Sequence, residues 1–247
     1  AAFIGPEISK YSFDFFPDYI YFASYLLAAL IQIINFVILI FIKIDKPPPN
    51  KNLARPLSNI LVQKNLMIAI LAAAVGYSLM SFIMTATSLQ IVNVCKLGDE
   101  VSATVMQWHV IAMFAPAFFT GFIIMKFGNK NVMLVGVLLY VISISFTIIG
   151  QTFLNFWISL FLCGLGWNFL YVGGSDIIAK SASPEERSKV QGVTDFIIFT
   201  FVATGSFLAG ALHTNIGWEL MMIYTSFPII ILFISILVIK PHELSLR

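Results

Sequence analysis

The chain has 247 residues, of which 59% are hydrophobic and 11% are charged, and its mean hydropathy is +0.93. Soluble domains carry about 25% charged residues, so this composition indicates an integral membrane protein surrounded by a lipid bilayer. The net charge of +2 is uninformative, because the placement of Lys and Arg matters more than their sum in membrane proteins. Cys95 and Cys163 are neither clustered nor flanked by His, so the sequence predicts neither a disulfide framework nor a metal site.

Several apolar segments are long enough to cross a bilayer, which takes about 20 helical residues. Their connections are short, apart from a Pro-rich stretch at 43–64 that is typical of a linker. The sequence therefore predicts seven transmembrane helices, over residues 19–42, 66–92, 102–125, 132–150, 153–179, 190–212 and 219–239.

Basic residues are divided unevenly between the two sides that these spans define. One set of alternate connections holds twelve of the fourteen Lys and Arg residues, and the other holds only Lys10 and Lys96. Because positive charge is concentrated in cytoplasmic loops, the linker, the turn after the third span, the 181–189 loop and the C-terminus are predicted to be cytoplasmic. The twelve residues are Lys43, Lys46, Lys51, Arg55, Lys64, Lys126, Lys130, Lys180, Arg187, Lys189, Lys240 and Arg247.

A short basic turn joins the third and fourth predicted spans, reading Gly-Phe-Ile-Ile-Met-Lys-Phe-Gly-Asn-Lys over residues 121–130. We expect Gly121 and Gly128 to let the two helices approach and reverse direction. Lys126 and Lys130 mark the cytoplasmic side of the turn.

The two ends of the chain resemble each other. Residues 1–8 parallel residues 205–212, since each is a small-residue helix end that leads through a short loop into a full span. The match predicts that the chain starts at the end of a helix equivalent to the 190–212 span. The earlier helices of that repeat are expected outside the sequence.

The basic turn resembles the cytoplasmic motif G-x-x-x-D-R-x-G-R-R of the major facilitator superfamily. Gly121, Lys126, Gly128 and Lys130 match the motif, whereas Met125 stands at its acidic position. That departure puts the usual Asp-based contact in doubt.

Two further stretches resemble the same family. Residues 184–187, Pro-Glu-Glu-Arg, are similar to the loop after the fourth helix of a half. The predicted gating set is Gly121, Lys126, Gly128, Lys130, Asp176, Arg187 and Asp195. Residues 164–176 are similar to that fourth helix in a bacterial permease group. The family joins two six-helix halves in parallel repeat through a cytoplasmic linker.

The resemblance implies an all-α polytopic fold and covers the chain. Residues 1–18 would be the end of helix five and an extracytoplasmic loop, 19–42 helix six, 43–64 the linker and 65–247 the six-helix C-terminal half. The N-terminal half of the same transporter is then an expected partner outside the sequence. The expected location is a bacterial cytoplasmic (inner) membrane.

The function implied is secondary transport of a small organic solute by alternating access, coupled to an ion or proton. A drug-efflux member is an alternative, and so is a non-transporting scaffold or sensor on the same fold. The sequence has no catalytic, nucleotide-binding or metalloprotease motif. We therefore expect no enzyme activity, no cofactor and no nucleic-acid partner.

Asp176 and Asp195 are ionisable residues within predicted spans, where charge is costly. At 100° per residue, Asp176 points roughly 80° to 140° away from the polar stripe of its helix, so it should not face the same cavity. We interpret Asp176 as part of a cytoplasmic latch, paired with Lys126 or with Lys180 one turn on; proton carriage is the alternative. Asp195 would reach the corresponding basic motif of the other half.

The resemblance places the substrate path between spans 66–92, 102–125, 153–179 and 190–212. Polar side chains of the first span share one face and either line a cavity or hydrogen-bond a neighbouring helix. His109 is interpreted as a hydrogen-bonded interior residue or as a coupling residue, and Asn168 is the preferred ligand contact. The substrate-path candidates are Tyr77, Ser81, Thr85, His109, Trp167, Asn168 and Tyr171.

Small residues and prolines predict details of packing. Gly166 and Gly173 lie on one face of the 153–179 span and are expected to form a packing strip. Pro116 and Pro228 are expected to kink their helices.

Overall fold

The structure, a computed structural model, describes residues 22–43 and 55–239. Regular elements in these ranges are all helices, which confirms the predicted all-α class. Residues 1–21, residues 44–54 of the predicted linker and residues 240–247 lie outside the described ranges, and so do the predictions made for them. In chain order the helices are α1 Phe22–Phe41, α2 Leu57–Leu61, α3 Lys64–Leu89 with a π-helical continuation Gln90–Val94, α4 Asp99–Phe114, α5 Ala117–Phe127, α6 Asn129–Ile149, α7 Phe153–Ser181, α8 Arg187–Ile216, α9 Trp218–Tyr224 and α10 Ser226–Leu237.

The helices are long and apolar enough to cross a membrane. Six spans meet this test individually, and α4 with α5 meets it as one span bent by 43°. If the bent pair counts as a single span, the described residues contain seven, the predicted number. The chain is thus a polytopic integral membrane protein.

The chain divides into two units, residues 1–52 and 53–247. Helix α1 belongs to the first unit and buries none of its side chains, as expected for an apolar helix surrounded by lipid.

Helix α7 packs against α3, α4 and α6 through glycines. A Cβ at Gly164 would lie 2.6 Å from the carbonyl oxygen of His109 on α4, and one at Gly174 would lie 3.0 Å from that of Ala69 on α3. On α6, a Cβ at Gly166 would lie 2.9 Å from the Gly136 carbonyl oxygen, and one at Gly173 would meet Met133. The predicted packing strip of Gly166 and Gly173 is confirmed, because backbones approach closely only where side chains are absent.

Two spans are broken next to prolines. Helix α4 ends at Phe114 and α5 begins at Ala117, so the 43° bend lies at Pro116, as predicted. Proline lacks the N–H that would continue the ladder. The last span breaks at Thr225, between α9 and α10, three residues before Pro228.

The α5–α6 turn defines one end of the bundle, called here the Gly128 end, which also carries Arg55 and the 182–186 loop. Gly128 has φ +79°, a conformation that favours glycine. Lys130 Nζ donates to the carbonyl of Leu237 at 2.6 Å and so ties the turn to the end of α10. Gly121 does not behave as expected: a Cβ there would meet no atom of the described chain within 4 Å, so no close helix approach requires it.

Candidate functional site

Five aromatic rings from four helices meet in one group, called here the aromatic cluster: Tyr77 of α3, Phe114 of α4, Trp167 and Tyr171 of α7, and Phe199 of α8. Trp167 and Tyr171 are stacked, with centroids 5.0 Å apart and an interplanar angle of 11°. Tyr77 meets both rings edge-on at 5.1 and 5.5 Å. Phe114 contacts Trp167 at 5.7 Å, and Phe199 contacts Tyr77 at 6.0 Å.

The cluster has a buried base and an open rim. Trp167 is 4% exposed, whereas Phe114 and Phe199 are 56% and 52% exposed. Trp167 and Tyr171 stack because residues four apart share one helix face. The exposed parts of Phe114 and Phe199 are therefore available to stack against a flat aromatic molecule, in offset or edge-to-face arrangements.

The indole N–H of Trp167 is an unused donor at the base of the cluster. Its Nε1 atom is buried and has no hydrogen-bond partner among the described residues. A buried donor without a partner is costly, and indole can donate but not accept. An acceptor on a ligand would reach this donor once the surrounding rings move, because the atom is closed off from solvent in the structure.

Asp195 lies close to the cluster. It is half-buried on α8, interacts electrostatically with Tyr171, and its Oδ1 accepts from Gln191 Nε2 at 2.6 Å. The expected basic motif of the other half is not among the described residues, so that pairing stays a prediction.

Asn168, the preferred ligand contact, lies inside the α4–α7 interface and is 1% exposed. Its Nδ2 donates to the Met113 carbonyl at 2.7 Å, and its Oδ1 accepts from Thr120 Oγ1 at 2.6 Å. Both ends of the amide are thus occupied by the bent span.

His109 is also an interior residue, with its side chain fully buried. Its Nδ1 lies 2.6 Å from the Leu160 carbonyl oxygen. Since a carbonyl only accepts, Nδ1 carries the proton and Nε2 is an acceptor, without a partner among the described residues. The geometry matches the first interpretation, a hydrogen-bonded interior histidine.

The polar side chains on one face of α3, its polar stripe, contact several neighbouring helices. Ser81 Oγ lies 2.6 Å from Ser206 Oγ on α8, and Ser88 Oγ lies 3.0 Å from Ser102 Oγ on α4. Thr85 between them is half-buried. The serines thus bond helices together, as polar groups in bundles commonly do, and Tyr77 is the stripe residue that belongs to the aromatic cluster.

Asp176 is the centre of a polar group at the Gly128 end. Its Oδ2 accepts from Lys180 Nζ at 2.6 Å and from Asn129 Nδ2 at 2.9 Å. Of the two cations considered from the sequence, the structure pairs Asp176 with Lys180. Lys126 Nζ instead lies over the Phe127 ring, 5.3 Å from its centroid.

A cavity of about 410 Å³ opens beside this group. It is lined by Gly121, Gly128 and Lys130 of the predicted gating set, together with Asp176 and Lys180. Asn129, which also lines the cavity, binds the Gly173 carbonyl at 2.9 Å as well as Asp176. The sequence does not indicate this role, because Asn129 stands at a motif position where the family has Arg and its partners lie on a different helix.

A second ion pair at the same end joins Arg55 to Glu186. The Arg55 Nε and Nη2 atoms donate to the two carboxylate oxygens at 2.9 and 2.8 Å, and the backbone N–H groups of Arg55 and Ser183 donate as well. The Arg55 guanidinium and the Ser183 N–H hold the pKa of Glu186 well below its usual range. Arg187, predicted for the gate, is exposed, and its neighbour Glu186 forms the ion pair with Arg55.

A sequence model described as Major Facilitator Superfamily matches residues 66–246. Because the match covers most of the sequence, the chain belongs to the Major Facilitator Superfamily, as the resemblance had indicated.

Three curated relatives point the same way. The protein named Riboflavin transporter RfnT, from Brucella anthropi, is 34% identical over 244 residues, which is 97% of this chain and 61% of that protein. Two proteins of Bacillus subtilis named uncharacterized MFS-type transporters, YddS and YdeG, are each 28% identical, over 65% and 60% of this chain and 37% and 35% of their own lengths. The chain thus spans less than two thirds of the length of these relatives.

Proposed function

We propose that this chain is part of a secondary transporter that carries a small planar aromatic solute of the riboflavin class by alternating access. The observation that carries the proposal is the aromatic cluster, with its exposed rim and the unpartnered Trp167 donor at its base. The 34% identity to a protein named as a riboflavin transporter supports the same class. A flavin ring offers a flat surface for stacking and carbonyl oxygens that can accept from an indole N–H.

The complete transporter is proposed to contain a further six-helix half, with its solute site between the halves. Coverage of 61% of the riboflavin transporter's length supports this organisation. The energy source is proposed to be an ion or proton gradient, and a bacterial inner membrane the location. The Gly128 end is assigned to the cytoplasm, because Lys126, Lys130 and Lys180 lie there.

The solute class is tested by binding of riboflavin to the purified full-length protein, followed by quenching of riboflavin fluorescence. Trp167→Leu removes the buried donor and the ring on which Tyr171 stacks, so the Kd should rise about tenfold, the size of effect expected for loss of one buried hydrogen bond. Trp157→Leu is the matched control, since Trp157 stacks on Phe161, away from the cluster. Equal Kd values for wild type and Trp167→Leu would contradict this assignment, and tighter binding of an unrelated aromatic drug would favour an efflux member.

Asp176 is proposed to latch the cytoplasmic side, through Lys180 and Asn129. The Asn129 bond joins α7 to the start of α6, whereas the salt bridge to Lys180 lies within α7 and fixes the position of the Asp176 carboxylate. Asp176→Asn in the full-length protein weakens the charge-assisted bonds and should shift the balance between inward- and outward-facing forms, measured by accessibility of cytoplasmic cysteines. Unchanged accessibility with loss of proton coupling alone would show that Asp176 carries a proton instead.

A further inference from the structure

The bend between α4 and α5 is bridged by a single side chain of α7. Asn168 donates to the carbonyl of Met113, before Pro116, and accepts from Thr120, after it. Asn168 is 1% exposed, so water does not compete for these bonds. One amide therefore holds both sides of a 43° bend.

The Thr120 hydroxyl has a choice of acceptors. Its Oγ1 lies 2.6 Å from Asn168 Oδ1 and 2.9 Å from the carbonyl oxygen of Pro116 in its own helix. A hydroxyl has one hydrogen to donate. The bond can thus join α5 to α7, or remain within α5, and these are two discrete arrangements of the same groups.

The bend lies between the aromatic cluster and the Gly128 end. Trp167 precedes Asn168, and its ring contacts Phe114, the last residue of α4. On the other side of the bend, α5 leads into the Gly128 turn, where Asn129 binds Asp176. A displacement of the Trp167 ring is therefore transmitted to the bend through its contact with Phe114. A displacement at the bend is transmitted to the Gly128 turn through α5.

We infer that Asn168 is a positioning residue that couples the aromatic cluster to the opening of the Gly128 end. With Thr120 bonded to Asn168, α5 is held against α7; when Thr120 bonds to Pro116 instead, α5 is released to move about the bend. The inference rests on the proposed function in one respect: it assumes that the solute binds at the aromatic cluster.

The test uses the full-length protein in liposomes with Cys95→Ser and a reporter, Ile124→Cys. Ile124 is buried on α5 and lines the cavity at the Gly128 end, so release of α5 exposes it to a water-soluble maleimide. Cys163 is fully buried, so it should not react with the maleimide.

Two variants change the bonds at the bend. Thr120→Val keeps the side-chain volume and removes the donor, and Asn168→Leu removes both bonds of the amide. Thr214→Val is the matched control, because Thr214 is exposed and donates to the Gly210 carbonyl in its own helix.

Without ligand, Thr120→Val should label the reporter about fivefold faster, the shift expected from loss of one buried hydrogen bond, and Thr214→Val should label at the parent rate. The riboflavin Kd should stay within about twofold, since Thr120 is outside the cluster, while the initial uptake rate falls. A general loosening of the fold would raise the Kd together with labelling, and that outcome overturns the inference.

Labelling that is unchanged in Thr120→Val also overturns it, whether or not Asn168→Leu folds. Maleimide labelling is measured without solute, so the labelling rate of Thr120→Val tests the inference even if the wild-type protein does not bind riboflavin. Failure of riboflavin binding alone would remove the proposed solute and leave the bend coupling in place.

Discussion

The Glu186 carboxylate accepts hydrogen bonds from both the side chain and the backbone of Arg55 and from the Ser183 N–H. The residue is 3% exposed, in a loop whose sequence, Pro-Glu-Glu-Arg, gives no indication which Glu is bound. A bidentate pair of this geometry is stronger than an ordinary surface ion pair. It holds the start of the second unit against the α7–α8 loop.

Glu186→Gln should lower the melting temperature of the full-length protein at neutral pH, because it removes the charge from every one of these bonds. The pKa of Glu186 is depressed by Arg55 from its ordinary value of 4.5. A depressed carboxyl pKa stabilises the fold above the unfolded-state value and loses that contribution as pH falls. The difference in melting temperature between wild type and variant should therefore be constant from pH 5 to 8 and shrink below about pH 4.5.

Glu219→Gln is the control, since Glu219 is an exposed carboxylate at the start of α9. A difference for Glu186→Gln that grows as the pH falls would contradict the charge-assisted pairing.

At the scale of elements, the glycines of helix α7 determine how closely it packs against its neighbours. Gly164 faces α4, Gly166 and Gly173 face α6, and Gly174 faces α3, so one helix contacts three neighbours at backbone distance. In lipid, this packing replaces the hydrophobic effect as the main attraction between helices. It also places Trp167 and Tyr171 at a fixed depth against Tyr77.

Gly164→Ala should destabilise the protein by about 1–3 kcal/mol, the usual cost of overpacking, because the new methyl group would lie 2.6 Å from the His109 carbonyl oxygen. Gly192→Ala in α8 is the matched control: a Cβ there meets nothing in the described chain within 4 Å, and Ala in place of helical Gly is expected to stabilise by about 0.5–1 kcal/mol. Stability is measured by unfolding in mixed detergent micelles. Equal effects of the two substitutions would contradict the close packing of α7.

At the scale of the whole molecule, the proposed orientation follows from the charge division and gives each end of the bundle a side of the membrane. Cys95 lies at the opposite end from Gly128, half-buried, with its Sγ 3.2 Å from Gln151 Oε1. Burial raises the pKa of the Cys95 thiol, so the reactive thiolate is scarce near neutral pH.

A membrane-impermeant maleimide should label Cys95 from outside intact cells, slowly, with a rate that rises about tenfold per pH unit because only the thiolate reacts. Lys96→Cys in a Cys95→Ser background is the exposed control and should react faster. Labelling of Cys95 only in inverted vesicles would reverse the proposed orientation.

Much of the fold is predictable because a bilayer restricts what can cross it. Each span must be helical and about 20 residues long, so the spans follow from apolar windows, and Pro116 and the Gly166–Gly173 strip follow from local chemistry. The bounds of α8 show the limit: it extends over Arg187–Ile216 instead of 190–212, because polar helix ends are invisible to an apolar window.

The site is less predictable because it depends on which helices meet. The sequence indicates three members of the aromatic cluster as substrate-path candidates from their positions in spans: Tyr77, Trp167 and Tyr171. It does not indicate Phe114 and Phe199, because a Phe in a span is common and its role depends on which helices pack beside α4 and α8. Asn168 shows the reverse: a polar residue at mid-span indicated a ligand contact, whereas its partners, Met113 and Thr120, lie in the adjacent helix. Partners of this kind follow from helix packing, which one sequence does not specify.

The most direct measurement is uptake of riboflavin by liposomes containing the full-length protein. The proposed function predicts uptake above empty liposomes, competition by excess unlabelled riboflavin, and strong reduction by Trp167→Leu with little change by Trp157→Leu. Uptake equal to that of empty liposomes, under gradients of either sign, would contradict riboflavin as the solute, and equal uptake by wild type and Trp167→Leu would contradict the aromatic cluster as its site.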